Sequence, residues 1–432
     1  MPAYMKALCC GLLLAGAMLS SGCNRGREPA IDPPLWSEIQ QIRAIDHHAH
    51  PVRVVGNGPP DREFDALPVE NLEPASDPLN LRPNAPAVLE AEKQLYGSAE
   101  RKPSFVREKG ESYPTWVLDQ IGVDIMFANR VAMGTSIQPP RFRWVPYADG
   151  LIFPLDNSHL TQQNPDRKAF FPLEDVLRQR YLGEAGLKVL PATLSEYLTR
   201  VVTPTLERQK QGGALAEKFE AAYLRSLQFD RVDRAVAERV YARFAGRGTP
   251  PDTEYKALQD YLFRYIAAEC GRLGMAVHLH TAAGGGSYFD VAGANPLLLE
   301  SVLEDPELRK TSFVMIHGGW PFTREITALL ERPNAYLDFS AEDLLLPPTA
   351  VAADIRRWLE LVPEKVMFGT DAYPYSDQLG WEESGWIAAR TGRQALAIAL
   401  TGMMRDGEIS LERATELARM VLRENARRLY GL

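Results

Sequence analysis

The body of this sequence is poor in histidine and almost empty of cysteine. Seven histidines serve 432 residues, and six of them gather in three places: His47, His48 and His50, then His278 and His280, then His317. Only His159 stands apart. Three of the four cysteines, Cys9, Cys10 and Cys23, lie at the start, which leaves Cys270 alone in the rest. A closed Cys-type zinc site and a disulfide-stapled scaffold are thereby excluded. No basic block or stripe occurs and the net charge is -8, so nucleic acid is not an expected partner. Nothing repeats at a solenoid period. No GxGxxG follows an early strand and no Walker-type loop is present, which removes the signals of a nucleotide-binding open sheet. Gly284-Gly285-Gly286 is a lone glycine run and reads as a flexible loop. The apolar run at 7–19 is too short to favour a spanning helix.

What is there begins with that run. Lys6 precedes it and Ser20-Ser21-Gly22 lead to Cys23, the pattern of a secretion signal. The stretch Leu19-Ser20-Ser21-Gly22-Cys23 resembles a bacterial lipobox, with Ser20 where that family usually has leucine. The resemblance implies cleavage before Cys23, lipidation of Cys23, and, with Asn24 following, an outer-membrane anchor facing the periplasm. A simple cleaved signal is the alternative. Residues 1–22 then form the signal, 23–34 a polar, proline-bearing tether, and 35–432 one enzyme-sized domain. A lipidated Cys23 leaves no intramolecular disulfide.

Hydrophobic patterning predicts strands at 42–47, 123–128, 150–154, 215–221, 275–280, 312–317, 335–340 and 365–370, alternating with helical patterns. The last four are continuous apolar runs, as expected of strands covered on both faces. Long insertions follow strand one (51–112) and strand three (158–211). Right-handed βα units favour an α/β fold, a single distorted (β/α)8 TIM barrel with insertions after strands 1 and 3.

His48, His50, His280, His317 and Asp371 all fall at carboxyl ends of predicted strands, where barrel active sites form. Alternation puts His48 and His50 on one face and His47 on the other. Imidazole and carboxylate ligands suit zinc and similar divalent ions. Such a site can keep a position open for water and bring its pKa toward neutrality. His278 is in phase with His280 and reads as a second-layer or packing residue. Tyr223, Arg225 and Arg324 could meet an anionic group of a substrate. His159 reads as ordinary surface.

Four segments carry a family resemblance: Asp46-His47-His48-Ala49-His50, His280-Thr281, His317-Gly318-Gly319, and Gly369-Thr370-Asp371-Ala372. They look like the strand motifs of the amidohydrolase superfamily, in its amidohydrolase-related branch, which includes the amidohydrolase-like domain attached to some glutamine synthetases. His317-Gly318-Gly319-Trp320-Pro321 with Arg324-Glu325, and Tyr336-Leu337-Asp338-Phe339-Ser340, extend the likeness. The resemblance implies His48, His50, His280 and Asp371 as metal ligands and Asp371 as the group that handles the proton. It implies His317 as a second-metal or substrate-orienting histidine and Asp46 as a partner that fixes a ligand imidazole. Lys218 sits where two-metal members place a carboxylated lysine. An ordinary salt-bridged or substrate-contacting lysine is favoured there, because the strand is weakly patterned, and hence one ion over two. The function expected is a zinc-type, metal-dependent hydrolase acting on an amide, lactone or related carbonyl of a small molecule. A metal-dependent decarboxylase, a sugar-acid isomerase and a metal-retaining binding module are the rivals; a homo-oligomer is compatible with the helical insertion.

Overall fold

Among the described residues, eight parallel strands of two to seven residues carry the molecule. They are β1 (Ala44–Ala49), β2 (Val123–Asn129), β3 (Phe142–Val145), β4 (Ala216–Phe219), β5 (Ala276–His280), β6 (Phe313–Ile316), β7 (Ala335–Asp338) and β8 (Val366–Met367). The computed structural model describes residues 31–55, 59–68, 78–376 and 378–432. The signal segment, Cys23 and most of the tether lie outside the described residues. Residues 33 and 34, expected in the tether, instead open the first helix, Pro33–Gln41, whose N-cap Asp32 accepts from Leu35 N at 3.0 Å. No helix among the described residues is long and apolar enough to cross a membrane.

Pairing runs β1-β2-β3 and β4-β5-β6-β7-β8, all parallel. Backbone hydrogen bonds join the two groups at both seams. Lys218 N donates to Pro146 O (2.8 Å) and Ala148 N to Lys218 O (2.9 Å) between β3 and β4. His47 N donates to Phe368 O (2.9 Å) and Asp371 N to His48 O (2.8 Å) between β1 and the end of β8. The ring of strands is the expected (β/α)8 barrel, and its interior floor is packed by Ile45, Phe127, Val145, Ala216, Ala276, Val314 and Met367. Interior filling of this kind makes the barrel a core rather than a pore.

One expectation about the strands is corrected. The third strand is not 150–154. It is Phe142–Val145, and Asp149–Ile152 is a buried helical turn. A short apolar run reads equally as strand or buried helix. The segment 323–330 holds a 3-10 helix, Glu325–Glu331. The insertion after β1 contributes helices Pro86–Tyr96 and Lys102–Lys109, and helix Tyr113–Gln120 follows it into β2. The insertion after β3 contributes Pro165–Glu184 and Thr203–Gln211.

Strand β1 is irregular, and this matters for the site. Its register with β2 shifts between Ala44 and Ile45 and again between Asp46 and Ala49. Such a shift breaks strict side-chain alternation. His47 therefore does not point to the opposite face. Its ring lies 4.5 Å from that of His278 and 5.4 Å from Phe127, inside the barrel, while His48 and His50 still share the mouth.

Candidate metal centre

The barrel mouth gathers the predicted residues from distant parts of the chain. His48 Nε2 and His50 Nε2 lie 3.3 and 3.4 Å from Asp371 Oδ1. Ligand atoms of these three residues all fall within 4.8 Å of one another. Two nitrogens from buried imidazoles and one oxygen from a half-buried carboxylate make a donor set fit for a divalent ion. Burial alone would raise the Asp371 carboxyl, but its neighbours His317, His50 and Lys218 outweigh it and hold it well below the usual range. Burial also depresses His48 and His317 well below an ordinary imidazole and His280 to about 3, so these rings are neutral, as ligands must be.

Partners behind the ligands aim them. Tyr147 Oη sits 3.2 Å from His50 Nδ1, and Asp65 Oδ2 lies 3.6 Å from the same nitrogen. A proton on Nδ1 leaves the Nε2 lone pair facing Asp371. The Asn129 amide is 2.8 Å from His48 Nδ1, and its buried Oδ1 has no hydrogen-bond partner. The amide nitrogen donates to His48 Nδ1 and to Ala49 O (3.2 Å), which ties the His48 ring to the end of β2. His317 Nδ1 faces the Ser340 carbonyl at 3.1 Å and Ser340 Oγ at 2.9 Å.

Several site expectations change. His280 lines the mouth, its ring 4.7 Å from His317, but it stands outside the convergent group. Its Nε2 is 3.0 Å from Ala282 O, an acceptor only, so Nδ1 carries its free lone pair. Asp46 does not fix a ligand imidazole; it accepts from Thr370 N, Thr370 Oγ1 and His48 N and so ties the first strand to the eighth. His278 reaches Tyr430 Oη at 2.6 Å rather than a ligand. Arg225 is not free to meet substrate. Its guanidinium is buried, binding Asp260 at 2.6 Å and Gln259 at 2.9 Å beneath the Phe229 ring. Arg324 is exposed on the loop after β6. Lys218 is not a salt-bridged strand lysine. It is 1% exposed, makes no ion pair among the described residues, and places Nζ 3.5 Å from His48 Nε2. Burial depresses its ammonium. Tyr223 is at the site, its ring 4.6 Å from His280. His159 is exposed and paired with Asp252, as surface use predicts.

The glycine run 284–286 is a fitted loop. A Cβ on Gly284 would come within 2.5 Å of the Tyr223 ring, and Gly286 at φ +103° borders Asp166. Tyr373 (ring 5.3 Å from His50) and Tyr375 (Oη 3.5 Å from Asp371 Oδ2) complete a tyrosine rim with Tyr147 and Tyr223. Asn129, Tyr147, Asp65 and Tyr373 escaped the sequence reading. Asn129 ends β2 and was detectable as a polar residue at a strand's carboxyl end. Tyr147 was hidden by the misplaced third strand.

Left-handed backbone presents His317. His317, Gly318 and Gly319 have φ of 71°, 59° and 73°. A Cβ at Gly318 would overlap the Glu342 carboxylate and press on the Trp358 ring. Gly318→Ala is expected to lower stability by at least about 1 kcal/mol and to reduce bound metal, both read on one preparation by thermal unfolding and elemental analysis.

The fold and this site place the chain in a known class. The amidohydrolase family profile matches residues 154–432, more than half of the sequence, and the chain belongs to that family. Over 228 residues it is 29% identical to the fluG protein of Emericella nidulans, a match covering 50% of this chain and 25% of that protein. The chain therefore spans about a quarter of the length of that curated relative. Among solved structures it resembles a protein designated a metal-dependent hydrolase from Lactobacillus casei (TM-score 0.64, 17% identity, 93% of this chain and 98% of that one). It also resembles the uronate isomerase of Thermotoga maritima (0.58, 13%, 92% and 96%) and the glucuronate isomerase of Caulobacter crescentus (0.59, 12%, 92% and 93%). At these identities the likeness is one of fold.

Proposed function

We propose that the chain is a metal-dependent hydrolase that cleaves an amide, lactone or related carbonyl compound. The observation that carries this is the convergence of His48, His50 and Asp371 within 4.8 Å at the barrel mouth. A divalent ion held there, zinc by the nitrogen and oxygen donor set, supplies Lewis acidity and lowers the pKa of a water. One ion is favoured; Lys218 and His317 are the residues that would serve a second.

The chain's own groups divide the remaining work. Asp371 is held ionised and takes the proton of the attacking water, then returns it to the leaving atom. Asp65 and Tyr147 keep His50 in the tautomer that offers Nε2. His317 presents an unprotonated Nε2 beside His48 and His280. The rim of Tyr147, Tyr223, Tyr373 and Tyr375 shields the carbonyl from bulk water and offers phenol donors. The substrate is a small molecule.

Turnover of a panel of amides and lactones by zinc-loaded protein in oxygen-18 water is expected to place one heavy oxygen in the product. Turnover without incorporation would replace hydrolysis by isomerisation, and release of carbon dioxide would replace it by decarboxylation. We also propose export and lipid anchoring through Cys23. Cys23→Ala is expected to move the protein from the membrane fraction to the soluble fraction.

A further inference from the structure

Beneath the ligand cluster, the barrel holds a second set of polar groups that the proposed reaction does not use. At its centre is the Asp338 carboxylate at the end of β7, with no solvent exposure. Oδ1 accepts from His317 N (3.0 Å), Ser340 N (3.1 Å) and Ser340 Oγ (2.6 Å). Oδ2 accepts from His47 Nδ1 at 2.8 Å. His47 Nε2 lies 2.6 Å from Tyr430 Oη, and Tyr430 Oη lies 2.6 Å from His278 Nε2. His278 Nδ1 is buried without a partner.

Donor and acceptor chemistry fixes the direction of the bonds on the His317 arm, and the cheaper stranded atom fixes those on the other. The Ser340 hydroxyl gives its hydrogen to Asp338, so its oxygen can only accept from His317 Nδ1. The Ser340 carbonyl can only accept as well. His317 must therefore carry its proton on Nδ1 and a lone pair on Nε2. On the other arm, His47 gives Nδ1–H to Asp338 and takes the Tyr430 hydroxyl hydrogen on Nε2. Tyr430 oxygen then accepts His278 Nε2–H. The one atom left over, His278 Nδ1, is a lone pair, which costs less to strand than an N–H. All donors in this chain lead to Asp338.

We propose that Asp338 is a positioning residue for His317, with His47 and Tyr430 as its second arm. This relay sets which His317 nitrogen faces the site. It rests on the metal-site reading only for its effect on zinc, because the tautomers exist without an ion. An asparagine at 338 offers an NH2 to one arm where both require an acceptor.

The test uses 15N-labelled full-length protein, with histidine tautomers read from long-range nitrogen–proton correlations. Zinc affinity is read by chelator competition and stability by thermal unfolding. Wild type is expected to show His317 and His47 as single Nδ1–H tautomers. Asp338→Asn is expected to move at least one of them and, where His317 serves a second ion, to weaken that second zinc equivalent roughly 10- to 100-fold. Tyr430→Phe, which keeps the ring, is expected to disturb the His47 signal and to act on any second zinc equivalent in the same direction. Phe153→Leu, a buried core change whose ring packs on Phe171 (centroids 5.3 Å apart) and touches no relay residue, is expected to lower stability alone. A wild-type His317 protonated on Nε2 would overturn the relay. So would Tyr430→Phe with unchanged tautomers, or Phe153→Leu shifting the tautomers as much as Asp338→Asn. Should Asp338→Asn not fold, the wild-type tautomer and Tyr430→Phe decide. Wild type that takes up no zinc would sink the hydrolase reading and leave the tautomers to judge the relay.

Discussion

His50→Ala is expected to abolish tight metal binding and to lower turnover on the order of 1,000-fold, about 4 kcal/mol of transition-state stabilisation. His50 Nε2 is one of three converging donors and lies 3.4 Å from Asp371 Oδ1. Alanine leaves two donors and exposes Asp371 to a gap. Because His50 is buried at the mouth rather than in the apolar core, the fold is expected to survive with a modest shift in unfolding temperature. Metal content by elemental analysis, run beside turnover, separates ligand loss from misfolding. Full turnover in metal-free His50→Ala protein would remove the metal from the mechanism.

Arg130→Ala is expected to be the most damaging single change to stability, at about 3–5 kcal/mol. Arg130 has no solvent exposure. Its Nη1 lies 2.8 Å from Asp61 Oδ2 and donates to Pro51 O at 2.6 Å; Nη2 donates to Asp61 Oδ1 at 3.0 Å, and Nε to Ala132 O at 2.9 Å. The pair ties the end of β2 to the loop that leaves His50. Removing the guanidinium leaves the Asp61 carboxylate with Arg53 as its one remaining ion-pair partner among the described residues, and strands the Pro51 carbonyl in a dry interior. Arg130→Lys cannot restore the bidentate contact and is expected to recover only part of the loss. The double variant Arg130→Met with Asp61→Leu removes both charges and is expected to lose far less than Arg130→Ala.

The same pair predicts a pH dependence. Burial would raise the Asp61 carboxyl, and the hydrogen bond and charge of Arg130 reverse that and hold it below its usual value. A carboxyl depressed in the folded state binds fewer protons than in the unfolded chain. Its stabilisation is thus fully present above about pH 4 and is lost as pH falls through the lower folded value. Unfolding temperature measured across that range should fall for wild type and fall less for the apolar double variant.

Much of the site was legible because its signals are local. His48 and His50 sit two apart at a strand end, and His280, His317 and Asp371 close strands whose apolar runs are unambiguous. The barrel itself followed from eight alternating elements. What was not legible depends on backbone irregularity and on long-range partners. The register shifts in β1 turn His47 inward, and no alternation rule reports them. The true third strand, Phe142-Arg143-Trp144-Val145, carries an exposed-looking arginine, whereas the buried turn at 149–152 is more apolar. Arg225 looked available because nothing near it in sequence claims it; Asp260, its partner, is 35 residues away. Asp338 stood inside a recognised segment, but its role appears only when Ser340, His47 and Tyr430 are brought around it.

The central claim is that His48, His50 and Asp371 hold a divalent ion at the mouth of the barrel. A crystal structure of zinc-loaded protein, with anomalous scattering collected across the zinc edge, tests it most directly. The predicted result is an anomalous peak bonded to His48 Nε2, His50 Nε2 and an Asp371 carboxylate oxygen. A fully active protein whose zinc lies elsewhere, or which holds none, would contradict it.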